Sequence, residues 1–181
     1  GMAEAVVEEI RAAGGEALAN GDTVATEAGC RAMVDAARAA WGKVDILIHN
    51  ATINRHAPFR EMTFENFSAV MDVHLSGAFH LCRQVFPMMC DAGYGRIVLV
   101  ASIAGLYGER NVAAYSTAKG AIVGLANALA VEGQDHGVGV NCIVPAAQTR
   151  LAEGRDTDGF PPWGSDLVAP AAFAEIGRAH V

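Results

Sequence analysis

Tyr115 and Lys119 lie four residues apart within residues 112–134, a stretch patterned as a helix, so their side chains share one face. A free phenol has a pKa near ~10 and is a poor base at neutral pH. A neighbouring ammonium favours the phenolate. Lowering the pKa by about 3 units takes roughly 4 kcal/mol of differential stabilisation, within reach of close cations in a partly dry cleft. Tyr115 is then expected to take the proton of an alcohol hydroxyl or return one to a ketone oxygen. Ser102, thirteen residues earlier at the end of an apolar run, is placed to donate a hydrogen bond to that same oxygen. The plainer alternative is a tyrosine and a lysine decorating a surface helix. The strand-end position of Ser102 weakens it, as does the scarcity of lysine, since Lys43 and Lys119 are the only two in the chain.

Positioning these residues requires alternating helices and strands. Residues 3–13 read as a helix with Val6, Val7 and Ile10 on one face, stopped by Gly14 and Gly15. A short strand is expected at 17–19, a helix at 27–41 closed by Gly42, and a buried strand at 44–49. A long helix runs from Thr63 or Phe64 to Cys90, with Thr63 as its N-cap. Residues 96–101 form the clearest strand, 112–134 the next helix, and 138–144 a further strand broken at Pro145. Apolar strands separated by helices predict an α/β fold, a Rossmann-like doubly wound parallel sheet with helices on both faces. Ligands of such sheets bind at the carboxyl ends of the strands. The polar residues that follow the strands (Asp22, then Asn50 to Thr52, then Ser102, then Pro145 to Thr149) converge on one rim. Residues 147–168, rich in Gly and Pro, read as a substrate loop or lid over it.

The 181 residues suit one domain, 52% apolar and 18% charged, which excludes a disordered chain. A net charge of -7 argues against a nucleic-acid or anionic-membrane partner. Cys30, Cys82, Cys90 and Cys142 lack CxxC spacing and are expected to be free thiols of a reducing cytoplasm, not metal ligands or disulfides. No apolar run approaches membrane-spanning length. The domain is taken as 1–174. Residues 175–181 end in Ile-Gly-Arg-Ala-His-Val, a string that read-through of a common sequencing adapter would encode, and are expected to be a non-native tail.

Ser102, the run Tyr115-Ser116-Thr117-Ala118-Lys119, and His49-Asn50-Ala51 after a buried strand resemble the short-chain dehydrogenase/reductase pattern. The segment from Val140 to Pro145, with Thr149, fits its later cofactor loop. The resemblance covers about residues 3–150 and implies an oxidoreductase that moves hydride between a secondary alcohol and NAD or NADP, with NAD somewhat ahead. It implies that Ser102 orients substrate and that Tyr115 is the acid/base. Lys119 would assist the tyrosine and hold the nicotinamide ribose. Asn50 and Ala51 would line the cofactor cleft, Asp22 with Thr23 or Val24 would border the adenine, and Pro145 and Thr149 would meet the carboxamide. A small-molecule substrate and a homodimer or homotetramer follow from the same resemblance.

The chain departs from that pattern in four ways. The family's first strand-helix-strand unit, with its Gly-rich phosphate loop, is lacking, and so is the residue that would choose NAD over NADP. His74 stands where the family usually has a helix asparagine; a relay role and a packed histidine are both open. Thr52 and Ala146 replace two glycines. Local strings such as Val73 to Phe79, Gly105-Leu106-Tyr107-Gly108 and Leu129 to Gly133 are similar to the (3R)-hydroxyacyl-CoA dehydrogenase domains of multifunctional β-oxidation enzymes, which implies a 3-hydroxyacyl thioester substrate. Other readings are a 3-oxoacyl-carrier-protein or steroid-type ketoreductase, or a catalytically silent Rossmann-type binding protein.

Overall fold

A computed structural model describes residues 1–145, Gly164, Asp166 and residues 168–177. In chain order the elements are α1 (Met2–Ala12), α2 (Glu27–Trp41), β1 (Ile46–His49), α3 (Phe64–Met71), α4 (Gly77–Ala92), β2 (Gly95–Val100), α5 (Ile103–Tyr107), α6 (Ala113–Gly133), β3 (Val138–Ile143) and α7 (Val168–Gly177). The described strands form one parallel sheet in the order β1-β2-β3. Each strand-to-strand step crosses through helices, as parallel pairing requires.

The register sorts the strand residues into two faces. Leu47, Ile97, Leu99, Val140 and Cys142 fall on one side, where α4 and α6 cover them and α2 packs on α4. Fourteen buried residues make this core, including Cys30 and Val34 from α2, Val85 and Met89 from α4, and Ile122 and Ala126 from α6. The other side carries Ile46, Ile48, Arg96, Val98 and Asn141. There α7 lies against β2 and β3, while Ile46 and Ile48 on the edge strand remain 44% and 46% exposed. Helices on both faces of a parallel sheet make this a Rossmann-like α/β fold.

Caps explain where several helices start and stop. Thr26 and Thr63 accept hydrogen bonds from the Gly29 and Asn66 amides, and Gly42 closes α2 in the left-handed conformation, φ 80°. The long helix expected from Thr63 to Cys90 is present but contains a π-helical turn over Asp72–Ser76 between α3 and α4.

Three elements differ from expectation. The strand expected at 17–19 is irregular chain, because none of the described strands lies beside it to complete a ladder. It is held instead by Arg11 Nη2 donating to Ala17 O (2.9 Å) and Trp41 Nε1 donating to Glu16 Oε2 (3.0 Å). The short helix α5 was not expected, since five residues are too few to show a period. Helix α7 was not expected either, and its Glu175 and Ile176 carbonyls accept from Asn141 Nδ2 (2.9 Å) and Arg96 Nε (3.1 Å). The expected lid lies outside the described residues, apart from Gly164, Asp166 and Val168.

Candidate active site

Tyr115 and Lys119 project from the first turns of α6 and are both buried, 8% and 3% exposed. The Lys119 ammonium stands 5.6 Å from the centre of the Tyr115 ring. It donates to the carbonyl of Val100, the last residue of β2, at 2.5 Å. Burial holds the lysine down to a pKa of about 8, an effect that Cys142 nearby partly offsets. The shared helix face expected from sequence therefore exists, and the lysine is tied by it to a strand end.

Ser102 lies two residues past the end of β2 and caps α5, its hydroxyl accepting from the Ala104 amide at 3.2 Å. A serine hydroxyl has one hydrogen to give and two lone pairs, so accepting at the cap leaves the O–H free to donate elsewhere. Backbone contact sets where α5 sits. A Cβ on Gly105 would fall 2.6 Å from both the Gly120 nitrogen and the Lys119 carbonyl carbon, and one on Gly120 would fall 3.0 Å from Gly105 O. The two glycines thus let the Ser102 helix rest directly on the Tyr115–Lys119 helix. Sequence reasoning missed this role. A glycine inside a helix, at a cost of about 1 kcal/mol against alanine, was the available signal.

The expected cofactor-side residues gather around the strand ends. Asn50, exposed, and Ala51, partly buried, follow β1. Asp22 and Thr23 are exposed in the loop before α2, with Asp22 N donating to Asn20 Oδ1 (2.9 Å) and Thr23 Oγ1 accepting from Ala25 N (3.2 Å). That loop is anchored at Val24, whose carbonyl accepts from the Cys30 thiol at 3.2 Å. A Cβ on Gly77 would come within 2.9 Å of Val24 O and 3.4 Å of His49 Nε2, so the loop sits beside the end of β1. Pro145, partly buried, follows β3 just after Ile143, whose carbonyl accepts from the Ala101 amide at 2.8 Å. Thr149 and Ala146 lie outside the described residues.

Two histidines complete the buried layer. His49, 3% exposed, and His74, fully buried, are each held to a pKa of about 4, chiefly by burial, with the Lys119 ammonium adding to it. The His74 ring meets the Tyr115 ring edge-on, with centroids 5.4 Å apart and planes at 89°. No cluster of metal-ligating side chains occurs among the described residues, and no described helix is long and apolar enough to cross a membrane.

A family model described as short chain dehydrogenase matches residues 1–157. The chain belongs to this family. It is 39% identical over 97% of its length to a short-chain type dehydrogenase/reductase of Mycobacterium tuberculosis. It is 45% identical over 83% of its length to the peroxisomal hydratase-dehydrogenase-epimerase of Saccharomyces cerevisiae, and 40% identical over the same share to the peroxisomal multifunctional enzyme type 2 of Mus musculus. The matched region is 60% of the mycobacterial relative, 17% of the yeast one and 20% of the mouse one. The resemblance read from Ser102, Tyr115 and Lys119 thus leads to the same family as the comparison of whole sequences.

Proposed function

We propose that the full-length protein interconverts a secondary alcohol and a ketone with NAD or NADP, NAD being favoured, and that the alcohol is that of a 3-hydroxyacyl thioester. One observation carries the chemistry. The buried Lys119 ammonium lies against the Tyr115 ring and is fastened to the strand end that leads into Ser102. The thioester class is supported by the yeast and mouse relatives, whose names place a dehydrogenase or a multifunctional enzyme in the peroxisome.

The residues present fit the nicotinamide-ribose half of a dinucleotide. Lys119 uses one of its three N–H donors on Val100 O and has no buried carboxylate beside it among the described residues, so it has donors to give to sugar hydroxyls. Asn50, Ala51 and Pro145 border the same strand ends. The pyrophosphate half has no Gly-rich loop within these 181 residues, so the chain alone is expected to bind dinucleotide weakly and to turn over little. A bound nicotinamide would supply the hydride acceptor or donor.

The chain's own residues handle the oxygen and its proton. Ser102 donates its free O–H to the substrate oxygen and stabilises charge that develops there. Tyr115 takes the hydroxyl proton as the alcohol is oxidised and returns it as the ketone is reduced. Lys119 sets its positive charge beside the Tyr115 ring while holding the ribose. Burial of Tyr115 keeps bulk water from the proton transfer.

The test is absorbance-monitored turnover by the full-length protein with NAD or NADP, 3-hydroxyacyl-CoA being compared with simple secondary alcohols. Faster turnover of the thioester is expected. Equal rates would remove the thioester assignment, and no coenzyme-linked change with either substrate would favour a silent Rossmann-type binding protein. A homodimer or homotetramer is part of the same reading, supported by Phe79 on α4 and Val131 on α6, 50% and 75% exposed. Light scattering of the full-length protein checks it.

A further inference from the structure

Two segments near Tyr115 carry arginines that the chemistry above does not use. Ile53 packs on the cluster that contains Tyr115 and Val112, and the chain that follows it holds Arg55, His56 and Phe59. Arg110 lies in the other segment, between α5 and α6, two residues ahead of the fully buried Val112. The Ala57 amide donates to Asn111 O at 2.9 Å, which joins the two segments within two residues of either arginine. Arg55, His56 and Arg110 are all exposed.

Charge sets this rim apart. The chain carries a net -7, so neighbouring cations run against its general balance. Arg60 is matched by Glu61, with Nε 3.2 Å from Oε1. Arg55 and Arg110 form no ion pair among the described residues. Residues 52–60 contain no carboxylate, and residues 108–112 contain Glu109 as theirs. The coenzyme-side loop over 20–26 is the reverse, with Asp22 and no cation. The two regions therefore suit different groups.

We infer that Arg55 and Arg110 form an anion site for the phosphate on the arm that carries the substrate's acyl group, so that the thioester is held from its far end while its hydroxyl meets Tyr115. The inference rests on the thioester reading above. Such acyl groups hang from a pantetheine arm that ends in a phosphate, either in free coenzyme A or on a carrier protein. A guanidinium suits that phosphate, because its planar fork gives two parallel N–H donors to the oxygens. Phe59 and Tyr107, 78% and 82% exposed on the same two segments, offer apolar surface to the arm itself. Solvent screens an exposed pair, so its contribution is modest and depends on salt.

The experiment presents the full-length protein with one 3-hydroxyacyl group on coenzyme A, on a phosphopantetheine-bearing carrier protein, and on N-acetylcysteamine, which has no phosphate. Arg55→Ala with Arg110→Ala is compared with Arg38→Ala, which removes an exposed arginine from the last turn of α2. The double variant should raise KM for the coenzyme A thioester on the order of 10-fold, with kcat kept within roughly twofold. KM for the N-acetylcysteamine thioester and NAD affinity from fluorescence titration should both stay within roughly twofold. Calorimetric titration with coenzyme A, which needs no turnover, should show the same loss, and added salt should shrink the difference between the two proteins. A matching KM rise with the carrier-protein thioester would support the site and assign it to the pantetheine phosphate. A rise confined to coenzyme A would support it and assign it to the nucleotide phosphates. An equal rise with N-acetylcysteamine, the same effect from Arg38→Ala, a loss of NAD affinity, or an unchanged KM with coenzyme A would overturn the inference. If the unaltered protein turns over none of these thioesters, the thioester reading fails, and the coenzyme A titration still decides the anion site.

Discussion

The Lys119 ammonium donates to Val100 O at 2.5 Å, which binds the second turn of α6 to the end of the strand that delivers Ser102. One bond therefore fixes a relation between the base-assisting cation and the residue that would hold the substrate oxygen. It also leaves a buried charge with no buried carboxylate beside it among the described residues. The consequences are open to measurement.

Tyr115→Phe removes the proton-transferring oxygen and keeps the ring that packs against Ala104, Val112 and Ala118. Turnover by the full-length protein should fall on the order of 10²- to 10⁴-fold, while coenzyme affinity from fluorescence titration stays near the unaltered value. Retention of more than a tenth of the turnover would remove Tyr115 from the acid/base role.

Gly105→Ala places a methyl 2.6 Å from the backbone of α6. Backbone cannot yield as a flexible side chain can, so α5 must lift and carry Ser102 with it. A loss of about 1–3 kcal/mol is expected from urea unfolding, with a fall in kcat. Gly124, whose Cβ would meet nothing within 4 Å, is the contrast. Gly124→Ala should leave activity intact and add up to about 1 kcal/mol from helix propensity.

Acid should weaken the fold through His49 and His74. Each has a folded pKa of about 4, below its ordinary value of 6.5, so the unfolded chain binds more protons between those values. Stability is then fully present above pH 6.5 and is lost as pH falls toward 4, on the order of 3 kcal/mol for each histidine. Unfolding midpoints from pH 7 to pH 4.5 check this, and a flat profile in that window would contradict it.

Lys119 acts with the same sign at high pH. Its pKa falls from 10.5 to about 8 on folding, so the unfolded chain again holds the extra proton and stability rises between pH 8 and 10.5. The Cys82 thiol, raised from 9.0 to about 12 by burial, works against this, since the unfolded chain loses its proton first and stability falls above pH 9. Lys119→Met should therefore remove the alkaline gain and leave only the decline. Melting temperatures measured at pH 7, 8.5 and 9.5 in both proteins separate the two groups.

Ile46 and Ile48 leave an apolar stripe on the edge strand, and an uncovered apolar edge invites association. The isolated 181-residue chain should be marginally stable and aggregation-prone. Ile46→Thr with Ile48→Thr should reduce its binding of a hydrophobic dye and its light scattering. A cooperative, high-temperature melt of soluble monomer would refute the expectation.

Much of this protein was legible in one dimension. The α6 pattern and the four-residue step put Tyr115 and Lys119 on one face, because a helix repeats every ~3.6 residues whatever surrounds it. The apolar runs over 44–49, 96–101 and 138–144 announced parallel strands, because buried strands need apolar side chains on both faces, and the residue after each run marked the rim. Local patterning was misleading where pairing decides the outcome. Residues 17–19 have the composition of a strand but no neighbour to bond. The site's finer construction was hidden for the same reason. The Gly105–Gly120 contact, the Val24 anchor on Cys30, and the hold of His74 on Thr52 and Ile53 join residues distant in sequence. Such contacts exist only once helices cross at a particular depth and angle, which tertiary packing alone decides.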